Sequence, residues 1–345
     1  MASRATDVGA EARGLVEDWE PRTADDERWQ EDLHALLDDV DEPHEGVYGP
    51  GTVTWRVNRE NAILLAGASA ALLQLAHPKV GEGVADHSDF DEDPAGRLKR
   101  TFAIVDAIVF GDAATAVEAA LDVRELHHDV VGSLNDATGP FEEDEGYRAN
   151  DPDLLLWVHA TLIDQALVGY EAYVGDLTAA DRERYWQQSK RFGRLMGIPE
   201  DRFPESVDDF YAYYERTLEE EIAVGDTARE LRDALLTRFR GADDFMRFLA
   251  ASTMPAPARD AFGFRWRRSD ERRFDRVTSA VNAALPVLPA RIRFDDHYRA
   301  NADRLGVDYR RTLSGPRRWL ARRVDLPVLD TGDPLGSFIE IAESV

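Results

Sequence analysis

The chain has 345 residues, 43% of them hydrophobic, enough to bury a sizeable core in one large domain or two small ones. Its 67 acidic residues against 41 basic ones leave a formal charge of -26, a field that repels nucleic-acid phosphates and acidic membrane surfaces and argues against both as partners. With no cysteine, the sequence excludes disulfides, iron–sulfur clusters, covalently attached c-type haem, thiolate-ligated haem and cysteine zinc sites, so any metal must use His, Asp, Glu or Tyr.

The basic charge is nearly all arginine, the lysines being Lys79, Lys99 and Lys190. An acid-rich, lysine-poor surface is the expected solution for a protein that stays hydrated in concentrated salt, so a cytoplasm of high ionic strength is expected. Residues 1–27 are polar and acidic without sustained periodicity, and are expected to form a mobile or loosely docked arm. They lack the basic start and apolar run of a secretion signal, which points to a cytoplasmic location.

From residue 28 on, helix start and stop signals recur at helix-length intervals and strands are hard to find. A buried helix is predicted over 59–76, ended by Pro78; its core, "AILLAGASAALLQLA", is too short to span a bilayer. Asp93 and Pro94 open the next helix and Gly111 stops it, and Asp112 opens another that runs to Gly132. The stretch "SLNDATGPFEEDEGYRAN" reads as a loop, after which Asp151-Pro152 starts a helix closed by Gly175. Thr178 with Asp181 and Ser206 with Asp209 resemble capping boxes, opening helices that end at Gly197 and near Gly225. Further helices, divided by prolines 255, 257, 286 and 289, fill 226–324. The predicted fold is a single all-α globular domain of roughly ten helices, without internal repeats.

Five of the eight histidines lie between 77 and 159. His159, in "DPDLLLWVHATLIDQ", follows Leu155 by one turn and precedes Leu162 and Ile163 by another, which puts it on an apolar helix face. A neutral imidazole buried there needs partners for both ring nitrogens. It is either a satisfied core histidine, the commoner case on residue type alone, or a metal ligand, for which a haem iron in an apolar pocket is the natural partner.

His127 and His128 are about 100° apart on their helix, and His128 shares a face with Arg124, so a cation and an acid/base group could stand together over a site. The same residues also suit the negative end of a helix dipole. Arg97 and Arg100, one turn apart, are candidates for binding carboxylates such as haem propionates. His77, before a proline, and His87, at a helix end, could line a cavity or cap a helix. Glu31 with His34 and Glu125 with His128 have the E-x-x-H spacing of di-iron carboxylate bundles, although the further inward glutamates are not apparent. No G-x-S-x-G elbow, G-x-G-x-x-G or P-loop is present, which weakens hydrolase and nucleotide-dependent readings.

Four stretches in order, "LLQLAHPKVGEGVADHSDF", "DPAGRLKRTFAIVDAIVFG", "VRELHHDVVG" and "YRANDPDLLLWVHATLIDQALVGYEAYVG", resemble the successive motifs of the MpaB/rubber oxygenase catalytic-domain family over roughly residues 50–225. "LPARIR" at 288–293 is similar in a weaker way. The resemblance implies an all-α fold, globin-like in style, holding a non-covalent b-type haem, with residues 28–345 as the catalytic domain. By motif order the axial histidine falls on His159, and Arg124 with His127 or His128 falls on the distal side. Rubber-cleaving members have a lysine–threonine pair where this chain has His127-His128, which argues against rubber as the substrate. The expected activity is therefore a haem-dependent oxygenase or dioxygenase using O₂ on a small unsaturated lipid-like or isoprenoid molecule. The alternatives are a haem-binding or gas-sensing module without turnover, a metal-free helical interaction protein, and the di-iron protein.

Overall fold

The computed structural model describes residues 2–88, 94–237 and 243–309, with the side chains of 2–6, 94, 95, 97 and 98 outside the description. Sixteen α-helices occupy these residues. The first seven are α1 Ala2–Asp18, α2 Ala24–Asp38, α3 Val53–Asn58, α4 Gly67–Leu75, α5 Pro78–His87, α6 Pro94–Phe110 and α7 Ala113–His128. They are followed by α8 Pro152–Tyr173, α9 Ala179–Leu195, α10 Val207–Glu220, α11 Asp226–Thr237, α12 Asp243–Thr253, α13 Ala256–Ala261, α14 Arg268–Ala284, α15 Ala290–Arg293 and α16 Asp296–Arg304. The all-α fold expected from the sequence is the one observed. The excess over roughly ten comes mostly from short pieces such as α3, α13 and α15.

Several boundaries lie where local chemistry puts them. Asp112 caps α7 by accepting the Thr115 N–H, and Asp151 caps α8 ahead of Pro152. Both predicted capping boxes form, Thr178 with Asp181 on α9 and Ser206 with Asp209 on α10, each satisfying otherwise orphaned amides. Asp93, the expected cap of α6, lies outside the described residues.

Other elements differ from expectation. The predicted 59–76 helix is a 3₁₀ turn, Asn61–Ala66, followed by α4. The turn lies so close to α8 that a Cβ on Gly169 would sit 3.1 Å from the Ile63 carbonyl, so a larger residue there would need the turn to give way by a few tenths of an ångström. The end of the predicted 112–132 helix and the loop after it form a hairpin of two strands, β1 Val131–Ser133 and β2 Gly146–Arg148, antiparallel with Gly132 opposite Tyr147. Thus α7 stops at His128 and Gly132 belongs to a strand.

The acidic N-terminal stretch is also not a loose arm. It forms α1, whose Ala12 and Val16 are fully buried, and the start of α2, fixed by a Thr23–Asp26 capping box. No single helix among the described residues is long and apolar enough to cross a membrane.

Two hydrophobic clusters build the interior. One gathers side chains of α4, α8, α9 and α10 to α14, including Leu72, Trp157, Trp186 and Phe210. The other gathers α1, α2, α3, α6, α7 and α16, including Trp29, Trp55, Phe110 and Tyr298. Tyr48 and Val109 of the second cluster and Ile163 of the first line one common cavity, which therefore lies where the two clusters meet.

A histidine-lined cavity as candidate active site

The cavity measures about 580 Å³, within the usual span of small-molecule pockets. Its walls follow helical periodicity. From α8 come His159, Leu162, Ile163 and Ala166, at i, i+3, i+4 and i+7. From α6 come Lys99, Phe102, Ala103, Asp106 and Val109, and from α9 Tyr185, Ser189 and Phe192. The 3₁₀ turn and α4 add Ile63, Leu64, Ala66 and Ala70.

His159 is 2% exposed. Its ring stacks on Phe192 at 5.9 Å between centroids and meets Trp186 and Phe203 at about the same separation. Burial among these rings, with no acid close by, pushes the imidazole down to about 3, so the ring is neutral at physiological pH. Ser189 Oγ spends its proton on the Trp186 carbonyl at 2.7 Å and lies 3.4 Å from His159 Nε2, a long contact in which only the imidazole can donate. His159 Nδ1 has no hydrogen-bond partner. A neutral, buried imidazole with a lone pair to give, on an apolar cavity of ligand size, is a residue that would hold the iron of a non-covalent haem.

Part of the lining is polar. Asp106 of α6, with Asp295 and His297 at the start of α16, brings three potential metal-ligand atoms within 4.8 Å of one another. His297 Nδ1 stands 3.4 Å from Asp106 and 3.9 Å from Asp295. Burial raises the Asp106 carboxyl, and burial together with Asp106 raises Asp295 to about 6; the Asp106 carboxylate in turn raises His297. Asp295 also caps α16 by accepting the Tyr298 N–H at 2.8 Å.

Among the other expected site residues whose side chains are described, none lines this cavity. Arg124 is buried against Asp26 of α2, with Nε and Nη2 at 2.8 and 2.7 Å, and lies over the Trp29 ring. His128 shares that carboxylate at 3.4 Å and stacks on Trp19. Burial alone would raise the Asp26 carboxyl, but hydrogen bonds from Arg124 and Thr23 outweigh it and hold Asp26 low. His127 is half-buried. His77 is buried beside Glu221 at 3.5 Å and against Phe141, while His87 meets the Val131 carbonyl at 3.1 Å. Arg100 is exposed, and the Arg97 side chain lies outside the described residues; Lys99, also on α6, lines the cavity. The E-x-x-H pairs do not converge: Glu31 is exposed and Glu125 pairs with Arg22.

Sequence reasoning missed Ser189, Tyr48, Asp106, Asp295 and His297. Ser189 and Asp106 sit at ordinary positions of amphipathic helices, and only the folded chain shows that they face His159's cavity.

An all-α protein in which a buried neutral histidine opens on a largely apolar cavity is of the kind that houses a prosthetic group or an apolar substrate between its helices. The chain belongs to the family described as ER-bound oxygenase mpaB/B'/rubber oxygenase, catalytic domain, whose pattern matches residues 55–283. It is therefore related to a group of oxygenase catalytic domains. The match contains His159, Ser189 and Asp106, whereas Tyr48 and the Asp295–His297 rim lie outside it. Uncharacterised proteins of Mycobacterium bovis and Mycobacterium tuberculosis are each 26% identical over 240 residues, 66% of this chain and 91% of theirs. No solved structure matches the chain.

Proposed function

We propose that the protein is a haem b-dependent oxygenase or dioxygenase acting on an unsaturated apolar molecule of lipid or isoprenoid type. The observation that carries this reading is His159: buried, neutral, short of a partner, and set in the wall of a cavity between two apolar clusters. Within an oxygenase family, that is the residue to hold iron. The haem, when bound, supplies the binding and activation of O₂.

The chain's own groups do the rest. His159 holds the cofactor, and Phe192, Trp186 and Phe203 fix the plane of its ring. Lys99 is placed to meet a carboxylate of the cofactor, the role first assigned to Arg97 and Arg100. Leu162, Ile163, Phe102 and Ala66 exclude water and give an apolar substrate its driving force for binding. Arg124 and His128, joined to Asp26, support α7 and the neighbouring end of α8 rather than the cavity: Arg124 reaches to Gly197, beside Leu155, one turn before His159.

Haem extraction from purified protein, combined with oxygen uptake on adding an isoprenoid olefin, tests the function. Stoichiometric haem b with olefin-dependent uptake is expected. Haem without uptake for a panel of olefins would instead make the protein a haem-binding or sensing module, and absence of both haem and iron would leave a metal-free helical protein.

A further inference from the structure

Charge is unevenly spread along the chain. Residues 1–258 hold 54 acidic against 24 basic residues, a formal charge of -30, whereas residues 259–323 hold 17 arginines against eight acidic residues, a charge of +9. Asymmetry of this size within one chain points to a face for an anionic surface. Among the described residues it is sharpest at α14 and the turn before it, where residues 265–276 include six arginines and three acids. α14 docks with Val277 and Val281 buried and with Arg273 turned over the Phe245 and Phe248 rings at 5.4 and 4.3 Å. The other five, Arg265, Arg267, Arg268, Arg272 and Arg276, are exposed, and none forms an ion pair with a described residue. Exposed arginines elsewhere, such as Arg148, Arg184, Arg202 and Arg229, each meet a carboxylate. Arg268, Arg272 and Arg276 follow one another at i, i+4 and i+8, a straight ridge with a rise of about 6 Å from one to the next. Of the acids in the stretch, Asp270 accepts the Arg267 N–H at 2.8 Å where α14 begins, and Glu271 and Asp275 stand on the adjacent row of the helix.

We propose that the arginine ridge of α14 docks the protein on the anionic headgroups of a phospholipid membrane. The overall charge of -26 argues against such a partner only for the molecule taken as a whole. At physiological ionic strength a charge is screened beyond about 8 Å, so a surface lying on this face meets the ridge and not the acidic remainder of the chain. The planar fork of donors on arginine matches phosphate oxygens, and clustered arginines on one helix face are the pattern that anionic lipids attract. The choice of a lipid surface over another polyanion rests on the reading of the cavity as the site of a lipid-like substrate, because a molecule of that class resides in membranes and not in water.

The test is co-sedimentation of the full chain with vesicles of phosphatidylcholine alone and of phosphatidylcholine mixed with phosphatidylglycerol, at about 0.1 M and about 1 M salt. Binding to the mixed vesicles at low salt, its loss at high salt and no binding to phosphatidylcholine are expected. The triple variant Arg268→Gln, Arg272→Gln, Arg276→Gln is expected to bind about a hundredfold more weakly, each arginine near an anionic surface contributing about a factor of five. The triple variant Arg184→Gln, Arg202→Gln, Arg229→Gln removes the same charge from exposed positions elsewhere and is expected to bind as the unaltered protein does. No binding to the mixed vesicles at low salt overturns the proposal and leaves the oxygenase reading standing. Unchanged binding in the ridge variant, or equal weakening in both variants, overturns the ridge as the contact. Binding of a DNA duplex without binding to the mixed vesicles overturns the membrane as the partner and assigns the ridge to nucleic acid.

Discussion

His159 and Asp164 sit five residues apart on α8, and the same force acts on both. Burial disfavours the charged form, so the imidazole is driven down to about 3 and the carboxyl up to about 6. The consequence for Asp164 has a definite sign. Its ordinary value is 3.8, so between about pH 4 and pH 6 the folded chain holds a proton that the unfolded chain has lost. Stability from this group falls as pH rises through that window and stays lost above it, by something on the order of 3 kcal/mol. Asp164→Asn keeps an oxygen for the Gln165 amide and removes the charge. It is expected to raise Tm by a few degrees at pH 8 and barely at pH 4; equal shifts in melts at the two pH values would contradict the assignment. His159 was legible in the sequence because a histidine within an apolar i, i+3, i+4 pattern must be buried. Asp164 and Gln165 were not, because a polar pair in a helix looks solvated until Thr253, 88 residues on from Gln165, is seen to close over it.

Helices whose ends carry their own chemistry, such as α7, α8, α9 and α10, could be placed from Asp112, Asp151-Pro152, Thr178 and Ser206 alone. The missed elements depend on partners far along the chain. In α1 the apolar stripe Val8, Ala12, Leu15 and Val16 is narrow within an acidic segment, and its burial against the second cluster is what makes it a docked helix. The hairpin of β1 and β2 is tied to α5 through the Tyr147 hydroxyl and Asp86 at 2.7 Å, a contact with no local signature. Arg124 is the clearest case: its pattern with His128 was readable as a pair over a site, but Asp26, 98 residues earlier, takes both. Arg124→Met leaves Asp26 charged and buried without its main partner and is expected to cost about 3–5 kcal/mol in denaturant unfolding. Adding Asp26→Asn should return most of that loss. A stable Arg124→Met single variant would contradict a supporting role and favour the distal one.

For the whole molecule, a charge of -26 on 345 residues makes self-repulsion a term in stability. Raising salt from 0.1 M to 1 M shortens the screening length from about 10 Å to about 3 Å, so Tm is expected to rise across that range; a fall would show that ion pairs outweigh net repulsion. Fold class and the family motifs were legible as a whole because they follow from helix punctuation and motif order. The cavity was not, since it forms only where the two clusters meet, and its rim comes from Asp295 and His297, beyond the matched 55–283 range. The most direct test of His159 as the ligand that makes this cavity a haem site is the optical spectrum of haem-reconstituted protein with and without the side chain. Unaltered protein should show a Soret band that is lost or shifted in His159→Gly and restored by added imidazole. An identical Soret band in His159→Gly without imidazole, or none in the unaltered protein, would contradict it.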